Sequence, residues 1–167
     1  MTTAEQMAKD IFKWPATSPQ DKVLNNDGTT AQIQLVRQNP QMQITVTLKQ
    51  LVQQNKTGLW FVTAAQTSDI TLTQPQPSSV VTSPTNIKVT GALTDGQTTA
   101  TLFDHTVMPL SLLNNPALTT DTNGTYTGML FYSNSVQNQP GLLLVQSVPP
   151  GGSNKTGQLL LAHVILG

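Results

Sequence analysis

The sequence predicts a mostly β protein in two parts: a small α+β unit over residues 1–66 and an antiparallel β-sandwich over residues 69–167. Three observations carry the prediction. From Asp69 onward, short segments alternate apolar with polar residues, or run apolar, between turn residues, as strands with a buried face do. The only helix signal stands at the N-terminal end. Pro75, Pro77 and Pro84 interrupt the first strands of the second part, and no helical periodicity follows them.

In chain order, Thr2-Thr3-Ala4-Glu5 reads as a capping box, the threonine oxygen accepting from the third helical amide while the glutamate reaches back. Ala4, Met7, Ala8, Ile11 and Trp14 then fall on one helical stripe, and Pro15 forbids continuation. The period changes to two from Ala31 to Arg37 and from Gln43 to Val52: Ile33 and Leu35, then Ile44, Val46 and Leu48, face one way, with Gln, Thr and Lys opposite. Asn55-Lys56-Thr57-Gly58 makes a turn and Leu59 to Ala64 returns, giving one helix plus an antiparallel meander. A unit of this size buries too little apolar area to stand alone and is expected to lean on its neighbour across a short linker at Gln66 to Asp69.

In the second part Ile70 and Leu72 alternate with threonines. The prolines make the next segment extended but unfit for a central strand, because each fixes φ and lacks an amide proton. Ile87 and Val89 resume the alternation and Gly91 ends it, so the chain is expected to pass here from one sheet to the other. Asp95-Gly96, Asn114-Asn115-Pro116, a type I′ turn at Asn123-Gly124 and Pro149-Pro150-Gly151-Gly152 mark later turns. Between them lie strands at Thr98 to Asp104, Tyr126 to Tyr132, Gly141 to Val148 and Leu159 to Leu166. About seven strands is the number of an immunoglobulin-like sandwich, here without cysteines.

The string I-x-L-x-x-P-x-P-x-x-x-V-x-S-P-x-x-I-x-V-x-G, Ile70 to Gly91, resembles the opening of the Gmad2 family, the immunoglobulin-like domain of bacterial spore germination proteins. The strand end at Leu102, Phe103 and Asp104, the N-G-x-Y turn and strand from Asn123 to Tyr132, and the strands at Gly141 to Val145 and Leu159 to Leu166 follow the family's order. The segment Val107 to Thr120 departs from it in lacking the glycine-rich hairpin. The resemblance covers residues 69–167 and implies an extracytoplasmic β-sandwich used for contact, with no catalytic residues to carry over. The hairpin from Val46 to Ala65 resembles the terminal hairpin of cone-shaped α+β folds of the NTF2-like kind.

Composition narrows the roles. Charged residues make up 10% of the chain, against about 25% in ordinary domains, so solubility rests on uncharged hydrogen-bonding groups, 26 Thr and 18 Gln among them. With a formal net charge of zero and eight scattered Lys and Arg, there is no electrostatic footprint for nucleic acid or an anionic membrane. The absence of cysteine excludes a disulfide framework and a thiolate metal site. No apolar run approaches the roughly 18 residues of a membrane span. Export would require a signal or lipid-anchor segment outside these residues.

Candidate chemistry is sparse, and no cofactor, metal or catalytic set is expected. Asp104, His105 and His163 are the one acid and imidazole combination, but neighbours on a strand point to opposite faces, so Asp104 does not orient His105 as a triad requires. Asp121-x-Asn123-Gly124 looks like half a calcium loop without its closing glutamate, Glu5 being the chain's one Glu. Sequons at Asn55, Asn123 and Asn154 matter only in a glycosylating host. Trp60, Phe61, Tyr126 and Tyr132 would form a carbohydrate platform if exposed in a row, whereas Trp14 and Trp60 are expected as the packing centre of the N-terminal unit.

One surface stands out. Along the last strand, Leu159, Leu161, His163 and Ile165 oppose Leu160, Ala162, Val164 and Leu166, so both faces are apolar, and Leu142 to Val145 show the same excess. An antiparallel sandwich strand ordinarily keeps one wet face. Leu159, Leu161, His163 and Ile165, grouped with Leu143 and Val145, are therefore the expected contact surface, covered by the N-terminal unit, a second copy or an outside partner. The function expected is a non-enzymatic module of the bacterial cell envelope or exterior that mediates protein contact or scaffolding, in a sporulation or germination setting as the resemblance implies. The alternative is a glycan- or peptidoglycan-binding module.

Overall fold

The helix stripe finds its partner at once. In the computed structural model, which describes residues 3–14, 20–38, 41–51, 58–93, 97–111, 116–133, 137–148 and 156–167, helix α1 spans Thr3–Asp10 and buries Ala4, Met7 and Ala8, with Ile11 and Trp14 buried just beyond it. Lys13 takes a left-handed conformation (φ 55°), its Nζ bonds the Asp10 carbonyl at 2.7 Å, and the Trp14 amide closes on the Ala8 carbonyl at 3.1 Å. These contacts satisfy carbonyls that a helix end leaves open. Thr2 and Pro15, the expected cap and stop, lie outside the described residues, as do Asn55 to Thr57, Asp95-Gly96, Asn114-Asn115 and the 149–154 loop.

Strands β1 (Gln20–Asn26), β2 (Thr30–Gln38), β3 (Gln41–Leu51) and β4 (Leu59–Gln66) form an antiparallel meander. The second part supplies β5 (Ile70–Gln74), β6 (Val80–Val81), β7 (Thr85–Gly91), β8 (Thr98–Phe103), β9 (Thr119–Thr120), β10 (Thr125–Leu130), β11 (Gln139–Ser147) and β12 (Gln158–Leu166). The protein is mostly β, with antiparallel sheets. The larger sheet has the order β1-β2-β3-β4-β12-β11-β8, with β6 added to β12; the smaller has the order β5-β7-β10-β9. Thus β4 pairs with β12 from Ala64↔Ala162 to Gln66↔Leu160, and one sheet runs through the 66–69 linker region. Thr67 pins that linker, its amide bonding the Leu159 carbonyl at 2.8 Å and its hydroxyl donating to Gln158 Oε1 in a buried pair.

The proline-rich segment departs from expectation in two respects. Strands β5 and β7 are antiparallel neighbours in the smaller sheet, so the chain crosses to the larger sheet at β6 and comes back rather than changing sheets for good. And β6 runs parallel to β12, through Ile165↔Val80 and Leu166↔Val81, where antiparallel pairing throughout is expected. The cause is local. Ser78 is left-handed (φ 63°), which turns the chain along the free edge of β12: the Ser78 amide bonds the His163 carbonyl at 2.7 Å and the Ile165 amide bonds Ser79 at 2.9 Å. The edge of β12 is therefore occupied in succession by Thr67, β4, Ser78-Ser79 and β6.

Two cores result, one on each side of the larger sheet. On one side Ile33 and Leu35, Met42, Ile44, Val46 and Leu48, and Ala65 meet Leu144, Leu159 and Leu161 beneath the apolar stripe of α1. On the other, Leu102, Leu143, Val145, Leu160, Val164 and Leu166 face Ile70, Ile87, Val89, Tyr126 and Leu130 of the smaller sheet. Strands β11 and β12 are apolar on both faces because each face belongs to a different core.

Candidate functional site

The residues singled out for chemistry do not converge. His105 sits beside Val107 and Leu142 in a groove along α1, whereas His163 lines a different cleft beside Ser78. His163 Nδ1 is 3.4 Å from Ser78 Oγ, and the Ser78 amide bonds the His163 carbonyl, so this contact belongs to the seating of the crossing segment on β12. Among the described residues no group of three His, Asp or Glu side chains is placed to hold a metal. Nor is any helix among them long and apolar enough to cross a membrane.

Asp104 serves its own turn, Oδ1 accepting from the Thr106 amide at 2.8 Å, the Thr106 hydroxyl at 2.7 Å and the Met108 amide at 2.9 Å. Desolvation raises its pKa, but the Met108 and Thr106 bonds and the adjacent His105 outweigh that and hold it below the ordinary carboxylate value. Asp27 does the same for Thr29 and Thr30, and Asp121 for Asn123 and Thr125. The Asp121 loop departs from the expected type I′ turn. Gly124 takes positive φ (73°) and Asn123 does not, because the carboxylate already fixes the turn through the Asn123 amide.

The aromatic platform does not assemble. Tyr126 and Tyr132 are core residues, Trp60 packs partly buried against the helix-side core to which Trp14 belongs, and Phe61 alone of the four is largely exposed, at 45%.

Of the expected contact surface, Leu159 and Leu161 are each 1% exposed and lie in the helix-side core. His163 and Ile165 are half-buried on the same face. Leu143 and Val145 do not belong with them: Leu143 pairs with Ala162 and Val145 with Leu160, so both point into the core between the sheets. The helix-side partners are Leu144 and Leu142, which pair with Leu161 and His163. Leu142 to Val145 are all apolar, so the alternation alone does not set their phase.

The concavity that the fold does build lies where the larger sheet emerges from under the smaller one. Cross-strand pairing puts Gln32, Gln34, Thr45, Thr47, Ala64 and Gln66 on one face, continuous with Ala162. The smaller sheet covers Ala162 and its neighbours but leaves these uncovered, as a shelf of Thr and Gln. At the step, β5 and the Pro77-Ser78 segment rise beside Thr63, Ala64 and Gln66, enclosing a cleft of about 480 Å³. Three consecutive residues, Ile70, Thr71 and Leu72, line it. Successive side chains point to opposite faces, so β5 presents its edge here and not a face. A second hollow, bounded by Gln43, Thr45, Ser68, Asp69 and Gln158, continues from Gln66 and Ser68. Sequence reading missed this site because a strand edge is made of backbone and leaves no side-chain motif.

Comparison with family models, curated proteins and solved structures finds no match to this chain.

Proposed function

We propose that this chain is a non-catalytic binding module of the bacterial cell envelope or exterior, built on an immunoglobulin-like sandwich, whose contact site is the cleft and shelf beside β5. The fold reading is supported by strand order: in chain order β5, β7, β8, β9, β10, β11 and β12 take the places A to G, with A-B-E-D in one sheet and C-F-G in the other. The contact reading rests on one observation, the uncharged half-exposed shelf that the larger sheet extends past its partner. The envelope setting, and a link to sporulation or germination, rest on the resemblance of residues 69–167 to the Gmad2 domain.

A glycan- or peptidoglycan-binding module is the second reading, favoured by the Thr and Gln hydroxyls and amides of the same shelf. Retention of the purified protein on isolated cell wall and on envelope protein extract separates the two. Capture by a protein fraction, abolished by proteolysis of that fraction, supports the first. Retention on cell wall that survives high salt and is competed by soluble glycan selects the second, and retention on neither overturns both.

A further inference from the structure

We propose that the cleft beside β5 receives one extended peptide segment of a partner protein, added as a fifth strand to the smaller sheet. The inference deepens the binding-module reading and rests on it. A terminal strand carries a row of backbone N–H and C=O groups with no neighbour on its outer side. Strand β5 is terminal in the order β5-β7-β10-β9, and its Ile70 to Leu72 edge opens on the cleft. The other wall is already shaped for a strand laid over it. Ala64 has a methyl group where a larger side chain would fill the space, and it pairs with Ala162, so the floor is low where the added strand would lie.

The geometry selects an extended segment over a second copy of this chain. Beyond β4 the larger sheet continues through β3, β2 and β1, three strands that at about 4.8 Å each project roughly 14 Å past the step. A folded domain approaching with its own edge strand meets this shelf first. A single extended chain does not. Charge narrows the segment further. Among the residues lining the cleft and its continuation, Asp69 at one end is the one carboxylate, and no Lys or Arg accompanies it. The fitting segment is uncharged along β5, with β-branched or hydroxyl side chains alternating, and carries a basic residue at the Asp69 end. Main-chain bonds then give affinity and alternate side chains give selectivity, as in other strand additions.

The probe is the hexapeptide acetyl-TVTVTK-amide, whose lysine reaches the Asp69 end when it pairs antiparallel to β5 as the other strands of this sheet do, with an analogue N-methylated at alternate amides and a charge-reversed acetyl-TVTVTE-amide as controls, each titrated to millimolar concentration into the intact chain. The expected result is at least tenfold slower amide exchange in β5 and shifted resonances at Ala64, Gln66 and Ser78 with the first peptide, neither effect with the N-methylated one, and several-fold weaker binding of the charge-reversed one. Ala64→Trp, which raises the cleft floor, is expected to weaken the first peptide at least tenfold. No change in β5, equal effects from the N-methylated analogue, or shifts confined to α1 or the outer face of β7 and β10 overturn the proposal. Protection of β5 that grows with protein concentration and needs no peptide assigns the edge to a second copy and overturns it too. If Ala64→Trp folds and still captures the envelope protein fraction, the cleft is wrong while the binding-module reading stands. If the unmodified chain captures nothing, that reading fails whatever the peptides do.

Discussion

The phenol of Tyr132 donates a 2.7 Å hydrogen bond to the carbonyl of Val81, an oxygen that also accepts the Gly167 amide at 2.8 Å. Three places far apart in the chain thereby meet on one atom: the end of β10, the crossing strand β6 and the C-terminal end of β12. Tyr132 is buried, and its backbone amide bonds Ser83 Oγ at 3.1 Å, fixing it to the same crossing segment. Removal of the hydroxyl leaves the Val81 carbonyl with one donor, so the cost should lie near that of a single net hydrogen bond and below that of an orphaned acceptor. Tyr132→Phe is expected to lower unfolding free energy by about 1 kcal/mol, read as a shift in urea midpoint at unchanged slope.

Burial also pushes the Tyr132 phenol above its ordinary value of 10.0, against a smaller opposing contribution from a Gly167 hydrogen bond. The folded state then holds the proton more tightly than the unfolded one. The resulting stabilisation is complete below the unfolded value and is lost as pH rises through the folded one. Absorbance titration at alkaline pH should show Tyr132 ionising above 10, and Tyr132→Phe should flatten the alkaline loss of stability.

Leu160 and Leu161 are adjacent on β12, yet each is buried in a different core. In a sandwich strand with one wet face, truncating one of such a pair would be nearly silent. Here both should be costly, about 2 to 5 kcal/mol each on replacement by alanine. Because the two side chains point to opposite sides of the sheet, the double substitution should be close to additive. Denaturant unfolding of the two single variants and the double variant checks this, and a change below about 0.5 kcal/mol for either would remove its residue from the core.

The same strand shows what the sequence could and could not disclose. Apolar excess on both faces of β11 and β12 was visible as a call for two covers, and the helix stripe from Ala4 to Trp14 was visible as something to cover with. Their phase was not: four apolar residues in succession carry no period, and only the pairing of Leu144 with Leu161 shows that Leu143 and Val145 face the other way. Strand β1 went unseen because its residues 21–26 are all exposed, leaving no burial pattern to be written in residue type. Of the three aspartate-held turns, the one at Asp121 carries a recognisable D-x-N-G pattern, whereas Asp27-Gly28-Thr29 and Asp104-His105-Thr106 share its geometry without that pattern. The cleft beside β5 depends on which strands end a sheet, and that is fixed by pairing.

Those turns contribute to the acid dependence of stability. Asp27 is held below the ordinary value of 3.8 by the Thr30 and Thr29 amides and the Thr29 hydroxyl, and Asp121 by the Thr125 and Asn123 amides. Asp104 is lowered as well, despite desolvation acting the other way. For a carboxylate with a depressed folded pKa, the unfolded state binds more protons as pH falls, so the stabilisation is complete above the unfolded value and lost below it. Stability should therefore fall as pH drops below about 3.8 through the lowered folded values. Asp104→Asn should be less stable than the parent at pH 7, with the difference shrinking toward pH 2, as followed by urea unfolding across that range.

Gly91 and Gly28 both take positive φ, 151° and 88°, but only one is hemmed in by backbone. A Cβ at Gly91 would lie 2.1 Å from the Asp69 carbonyl oxygen and 3.0 Å from the Ile70 Cα, atoms held by the β5–β7 pairing of Ile70 with Gly91 and by the Ala92 amide on that same oxygen. Backbone cannot swing aside as the tip of a side chain can, so relief would mean parting the first turn of the pairing. At Gly28 nothing lies within 4 Å, and the penalty is limited to the left-handed conformation itself. Gly28→Ala is expected to cost about 1 to 2 kcal/mol, whereas Gly91→Ala should cost that strain plus the lost pairing, roughly 3 kcal/mol or more. The two variants side by side in thermal and urea unfolding make the comparison. Equal effects would mean that β5 can withdraw from β7 at little cost, and amide exchange in β5 of Gly91→Ala would then be fast while β7 and β10 keep their protection.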